Sequence, residues 1–352
     1  MSDEIRTLLL DSLERLLRDL CTPERVEAAE QGGYDPELWQ QICELELHRA
    51  ALPESQGGVE ADLSLVTDML KLTAASALPA PAAEAMLLAP WLVTVGDVRL
   101  PDGLVTVAPA LSGVTLSGDG DQLRLNGEIS RVPAGRYADA LLTVVTDGDC
   151  ERLLLLQAEQ WKVNEAINLA GEARDTLIFS DQLLSGEQVI SVPLGTAEEL
   201  WQLGALARSA QLVGALRRAQ ELSHTYVQER SQFGRPLAKF QAIQQQLALL
   251  AADLEAASVM TGLAAMGFAR GDNGDVAAAK IQAGQAAGMG ARIAHQVHGA
   301  MGFTQEYPLH HATRRLWAWR DEYGTETHWA HRVGEQVVNL GADGFWPWLT
   351  AS

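Results

Sequence analysis

The stretch from Thr94 to Val192 limits the possible folds most, because the texture of the sequence changes at both of its ends. Outside it, apolar residues recur at helical spacing. Inside it, short β-prone runs are separated by turn residues, which is the pattern of strands. The spacing predicts strands over Leu104 to Val107, Val114 to Leu116, Gln122 to Leu125, Ala140 to Val145, Arg152 to Leu156 and Thr176 to Phe179. Gly118-Asp119-Gly120-Asp121 and Asp147-Gly148-Asp149 are the expected turns. A strand-rich segment enclosed by helical ones implies a mainly α fold with a small inserted β-domain. The expected parts are a helical domain over 1–93, a β-barrel-like domain over 94–196 and a four-helix bundle over 197–352.

The helical flanks carry their own signals. Ile5, Leu8, Leu9, Leu13, Leu16, Leu17 and Leu20 recur on one helical face, and Leu38, Ile42 and Leu45 on a second. Leu203, Leu206, Ala207, Ala210, Val213 and Gly214 mark a long helix running to about Glu229. Phe240, Ile243, Leu247, Leu250, Ala251 and Leu254 mark the next. In the third, Ile281, Gly284 and Gly288 form a thin face suited to close packing, and the fourth carries the tryptophans near 317. Trp317, Trp319 and Trp329 read as bundle core, with packing against a neighbouring subunit as the alternative.

Composition narrows the function classes. A formal net charge of −20 argues against non-specific binding to nucleic acid or to an anionic membrane, both of which need a basic surface. The start, Met-Ser-Asp-Glu-Ile-Arg, places charges where a secretory leader needs an apolar core. We see no run of about 18 apolar residues, so no membrane span is expected. Cys21, Cys43 and Cys150 are scattered and odd in number, which suggests a reducing, cytoplasmic setting. Seven of the eight histidines lie after residue 220, including His295, His298, His310, His311, His328 and His331. Their spacing matches no zinc pattern, and no metal is expected.

Two motifs in the last third carry chemistry. Gln296 to Pro308 reads Gln-Val-His-Gly-Ala-Met-Gly-Phe-Thr-Gln-Glu-Tyr-Pro. By spacing alone it is a helix end and a turn, although glycine loops of this kind can receive phosphate on exposed backbone N–H groups. Arg230-x-x-Phe233-Gly234-Arg235-Pro236-x-x-x-x-Gln241 is the second. A guanidinium suits a pyrophosphate because its planar fork bonds two oxygens and stays charged.

Both motifs resemble signatures of the flavin-dependent acyl-CoA dehydrogenases. The first is similar to Gln-x-x-Gly-Gly-x-Gly-(Phe/Tyr)-x-x-Glu-Tyr-Pro, with Ala300 at the second glycine. The turn Pro53-Glu54-Ser55-Gln56-Gly57-Gly58 resembles that family's Pro-Glu-x-x-Gly-Gly. The resemblance implies an FAD cofactor, an acyl-CoA substrate, a homo- or hetero-oligomer and an electron-transfer flavoprotein as acceptor. It makes Arg230, Phe233, Gln241, Gln296, Gly299 and Gly302 candidate cofactor contacts, with Thr325 beside them. The middle domain departs from the pattern: the Thr-Glu-Pro-x-x-Gly-Ser-Asp loop is absent, and Ile129-Ser130-Arg131 stands where an aromatic-Ile-Thr element touches the flavin.

The reaction implied by the resemblance places a double bond between the α and β carbons of the thioester, and needs a carboxylate of raised pKa to remove the α-proton. Counting without gaps puts Tyr323 at one of the two family positions for that base and Gly204 at the other. Glu322, one residue from the first, is the candidate base, and salt bridges to Arg315 and Arg320 are its structural alternative. Two functions follow from the resemblance. One is an FAD-dependent acyl-CoA dehydrogenase. The other is a non-catalytic or half-site subunit of a heteromeric dehydrogenase of the steroid side-chain degradation type, completing a partner chain's cofactor site.

Overall fold

The computed structural model describes residues 3–32, 34–108, 113–118 and 123–350. Its first part is helical: α1 (Asp3–Leu20), α2 (Pro23–Gly32), α3 (Pro36–Glu44) and α4 (Leu63–Ala75), then a π-turn at Glu84–Leu88 running into α5 (Ala89–Val95). Helix starts follow local chemistry. Asp35 and Asp62 accept backbone N–H groups of Leu38 and Leu65, satisfying donors that the first turn leaves open. Of the predicted stripes, Leu13, Leu16, Leu17, Leu38 and Ile42 are buried and pack with Leu65, Met69 and Leu70 of α4, whereas Ile5, Leu8 and Leu45 are exposed.

The middle part forms two four-stranded sheets. The strands are β1 (Val105–Val107), β2 (Val114–Ser117), β3 (Leu123–Pro133), β4 (Ala140–Asp147), β5 (Cys150–Gln157), β6 (Lys162–Asn164), β7 (Arg174–Leu184) and β8 (Val189–Val192). Sheet order is β1-β4-β5-β8 in one and β2-β3-β7-β6 in the other. All pairs are antiparallel except β1 with β4. One apolar core joins the sheets, with Leu125, Ile129, Val132, Leu141, Leu154, Leu156, Leu177 and Phe179 in it. β6 and β8 had no strong sequence signal, because β6 is exposed throughout and β8 has one buried residue. The expected turn at 118–121 falls, past Gly118, outside the described residues.

The last part is a bundle of α6 (Thr196–Glu229), α7 (Gln241–Phe268), α8 (Gly274–His298), α9 (Leu309–Arg320) and α10 (Glu326–Thr350), with a small hairpin, β9 (Ser231–Gln232) and β10 (Arg235–Pro236), between the first two. The bundle therefore exceeds the four helices expected, because Gly324, at φ 93°, turns the chain from α9 into a further helix. The thin face of α8 is used as anticipated: a Cβ at Gly284 would lie 2.0 Å from Glu326, at the start of α10. Trp319 and Trp329 are buried, whereas Trp317 is 38% exposed.

One helix bears on the expectation of no membrane span. α7, with mean hydropathy 1.5, is long and apolar enough by composition to cross a bilayer. Reading runs of purely apolar residues overlooked it, because Asp253 and Glu255 interrupt an otherwise alanine- and leucine-rich helix. Its inner face, Leu250, Leu254, Ala257, Thr261 and Ala264, is buried within the molecule.

Candidate functional site

The two motifs meet at one end of the bundle. α6 and α8 run in the same direction, and their C-terminal ends touch where Tyr226 stacks on His298 at 4.5 Å. The Tyr307 hydroxyl donates to the Leu222 carbonyl at 3.2 Å, tying the loop after α8 to α6. The Arg230 motif proves to be the β9–β10 hairpin. Its two-residue turn has Phe233 at φ 51° and Gly234 at φ 79°, the left-handed pair that matches strand twist. A phenylalanine is disfavoured there, and its ring is 89% exposed. Its ring meets Phe240 edge-on at 6.2 Å and otherwise faces solvent.

The glycine loop leaves α8 at the end where α8 meets α6, from which the hairpin starts. Gly299 ends α8 at φ 59°, ψ −135°, a conformation open only to glycine, and no atom lies within 4 Å of where its Cβ would stand. A cleft of about 390 Å³ opens there, lined by Gly288, Arg292, His295, Gln296, Gly299, Phe303 and Trp317. Phe303 is 75% exposed, and the His295 ring is sandwiched between it at 4.5 Å and Trp317 at 5.4 Å. Arg230, Gln241 and Gln296 are exposed, and Gly302 is buried under the loop. Sequence reasoning missed Arg292 and placed Trp317 in the core; an arginine four residues before Gln296 on the same helical face was the available signal. His295 stacks on Phe303 and Trp317, and His298 packs against Tyr226 and Tyr307.

Thr325 does not join this cluster. It starts α10, where its hydroxyl accepts the His328 N–H at 3.3 Å. The neighbouring Gly324 carbonyl is bonded to Lys280, sixteen residues before Gln296 on α8, and so roughly 24 Å away along the helix.

The second region is the junction of all three parts. The Gly204 and Tyr323 positions, distant in sequence, converge: a Cβ at Gly204 would lie 2.2 Å from the Tyr323 ring. A tyrosine ring thus fills the place where a carboxylate could stand, and neither position carries one. Changing Gly204→Ala should cost about 1 to 3 kcal/mol by overpacking, measured as a drop in denaturant midpoint.

Around these two residues runs a ladder of alternating charges. Glu84 receives Arg208 at 2.6 Å, Arg208 also bonds Glu322 at 2.6 Å, and Glu322 bonds Arg174 at 2.7 Å. Arg174 bonds Glu172 at 2.8 Å, Glu172 faces Arg315 at 3.3 Å, and Arg315 reaches Glu30 at 2.9 Å, where Arg314 also pairs. Four carboxylates and four guanidiniums balance, and Arg208, Arg315 and Glu84 are at most 1% exposed. The cavity left among them is about 30 Å³, room for a water or two.

Glu322 is therefore held as an ion, and its partners are Arg174 and Arg208 rather than the expected Arg315 and Arg320. Burial alone would raise its carboxyl, but the two guanidiniums outweigh burial and hold it at about 2. A base for a weakly acidic α-proton needs the opposite shift. Glu30 behaves alike: burial is outweighed by the His311 hydrogen bond and by Arg315 and Arg314, which bring it to about 2. Both folded-state values lie below the ordinary 4.5, so the stability they confer is complete above about pH 4.5 and is lost as pH falls toward 2. Thermal melts between pH 5 and 3 should show the loss, with a shallower dependence in Glu322→Gln.

Comparison with known proteins agrees with this construction. Residues 3–98 match the family model for the acyl-CoA dehydrogenase N-terminal domain, and residues 195–336 the one for the acyl-CoA dehydrogenase C-terminal domain. Together these describe a class of oxidoreductases acting on acyl-CoA, flavin-dependent as a family. This chain belongs to the acyl-CoA dehydrogenase family. It is 26% identical to acyl-CoA dehydrogenase IpdE2 of Mycolicibacterium smegmatis, over 88% of this chain and 91% of that one. It is also 26% identical to acyl-CoA dehydrogenase FadE27 of Mycobacterium tuberculosis, over 94% and 96%. In fold it overlays a chain of the ChsE4-ChsE5 complex from Mycobacterium tuberculosis with a TM-score of 0.90, covering 97% of this chain and 99% of that one at 24% identity. It overlays a chain of the Tcur3481-Tcur3483 steroid ACAD, in a variant form, with a TM-score of 0.85, covering 96% and 99% at 23% identity.

Proposed function

We propose that this chain is the cofactor-completing subunit of a heteromeric, FAD-dependent acyl-CoA dehydrogenase. The observation that carries the reading is a contrast within one molecule. The residues suited to a neighbour's cofactor, Arg230, Phe233, Gln241, Gln296 and Gly299, are all exposed, on motifs that follow the touching ends of α6 and α8. The residues suited to a reaction of its own, at 204 and 323, are a glycine and a buried tyrosine. The assembly of related chains as ChsE4-ChsE5 and Tcur3481-Tcur3483 pairs supports an unlike partner.

The residues present fit half of a dinucleotide site. Arg230 and Arg292 offer cationic forks, Gly299 lets a phosphate approach the backbone, and Gln296 and Gln241 offer amides. When bound, the flavin supplies the acceptor for the hydride that leaves the β-carbon of the thioester. This chain's part is to hold the pyrophosphate end through Arg230, Arg292 and the Gly299 backbone, and to exclude water with Phe233 and Phe303. The partner chain supplies the base and the acyl cavity. An electron-transfer flavoprotein would be the electron acceptor, and the reading sets the enzyme in the reducing cytoplasm, where the three cysteines stay free thiols.

Glu322 is a structural ion of the charge ladder in this account, and Thr325 a helix cap. Titration calorimetry with a panel of acyl-CoA thioesters is the test. The chain alone should bind none of them, because its domain junction is filled by the charge ladder, while the co-expressed pair should bind. Binding of a thioester by the chain alone, lost in a Tyr323→Trp variant that still folds, would overturn the reading.

A further inference from the structure

The cleft at Gln296 holds a histidine that the dinucleotide contacts leave unused. Arg292, His295 and Gly299 follow one another along α8 at spacings of three and four, so they share the face that lines the cleft. His295 is 8% exposed, and its ring lies nearly parallel to both neighbours, at 27° to Phe303 and 8° to Trp317.

Hydrogen bonding fixes which ring nitrogen carries the proton. The Thr313 hydroxyl donates to the Leu309 carbonyl at 3.3 Å, so its oxygen is left to accept from His295 Nε2 at 2.9 Å. The neutral ring is then protonated at Nε2 and keeps a lone pair at Nδ1. That nitrogen is buried and meets no hydrogen-bond partner among the described residues. It abuts the glycine loop: a Cβ at Gly302 would lie 3.3 Å from Nδ1. A buried lone pair without a donor is costly, and a proton placed on it would be shared with the Gly302 backbone.

Opposing effects meet at this ring. Burial disfavours the imidazolium and holds the group below its ordinary 6.5. The Gly302 backbone and two aromatic faces favour it. The charged and titratable groups around it are Arg292 and His298 on its own helix, with the phenols of Tyr226 and Tyr307 beyond His298. From α9 it meets Thr313 and Trp317, and from the loop Gly302 and Phe303. Among the described residues no carboxylate holds the ring charged, so an anion in the cleft would be the first negative charge beside it.

We infer that His295 is a positioning residue for the dinucleotide that works through a proton: it is neutral in the empty cleft and takes up a proton at Nδ1 when a pyrophosphate is seated over the glycine loop. The imidazolium then braces the loop through Gly302 and adds a second cation beside Arg292. The inference rests on the cofactor proposal, because it needs a dinucleotide in this cleft. A group that gains a proton on binding makes binding tighter as pH falls, by up to about tenfold per pH unit.

The test uses the chain co-assembled with its unlike partner, stripped of flavin and titrated with FAD, whose phosphates stay ionised throughout. From pH 8 to pH 6 the dissociation constant should fall about tenfold. Calorimetry at pH 7 in two buffers of different ionisation enthalpy should show net proton uptake on binding. His295→Gln, whose amide can still donate to Thr313 but does not titrate, should bind FAD without that uptake and with less than about twofold change over the same range. Should the variant fail to fold, the buffer comparison on the parent decides alone. FAD bound without proton uptake overturns the inference and leaves the cofactor proposal standing. Uptake that persists in His295→Gln assigns the proton to another group and overturns it as well. A pair that binds no FAD at any pH overturns both.

Discussion

Glu322→Gln should destabilise the chain by about 3 to 5 kcal/mol and leave flavin reduction in the assembled enzyme unchanged. The carboxylate bridges Arg174 of the β-domain and Arg208 of α6, and each of these has only one other carboxylate on the ladder. Removing the negative charge leaves two buried guanidiniums sharing too little compensation. A neutral amide can still accept a hydrogen bond, but it cannot cancel charge in a site this dry. The loss appears as a lower denaturant midpoint and, because the ladder ties three parts together, as loosened contact between β7 and the bundle. The opposite result is equally clear. A Glu322→Gln chain as stable as the parent but unable to reduce flavin would identify Glu322 as the base.

Arg230→Ala should weaken FAD retention by the co-assembled pair about 10- to 100-fold, the equivalent of a lost hydrogen bond to a charged group. The side chain is exposed at the foot of the hairpin, pairs with no carboxylate among the described residues, and contributes nothing to the core. Folding and assembly with the partner should therefore survive while the cofactor is lost on dilution. Equal FAD affinity in the parent and variant complexes would remove Arg230 from the site and, with it, the hairpin.

Much of the architecture could be read from the sequence because it follows from periodicity. The three-part order, the long stripes of α6 and α7 and the thin face of α8 each reflect a local repeat. The hairpin was seen only as a helix break, since two consecutive left-handed residues leave no periodic trace. The charge ladder was hidden for a different reason. Arg208 interrupts the apolar stripe of α6 between Ala207 and Ala210, and Glu84 interrupts an alanine-rich run. Each looks like an isolated blemish until the fold brings the two to 2.6 Å. Likewise, counting along the chain found Gly204 and Tyr323 singly. That they fill the same space is a property of packing, and it is the strongest argument that the base lies elsewhere.

The most direct test of the central claim is a visible absorption spectrum of this chain purified alone and purified with an unlike dehydrogenase-like chain, each before and after anaerobic addition of acyl-CoA thioesters. The account predicts no flavin bands from the chain alone, and bands in the pair that bleach with a thioester. A chain that purifies alone with FAD and bleaches on adding a thioester would contradict it, and would show that a base operates within this chain.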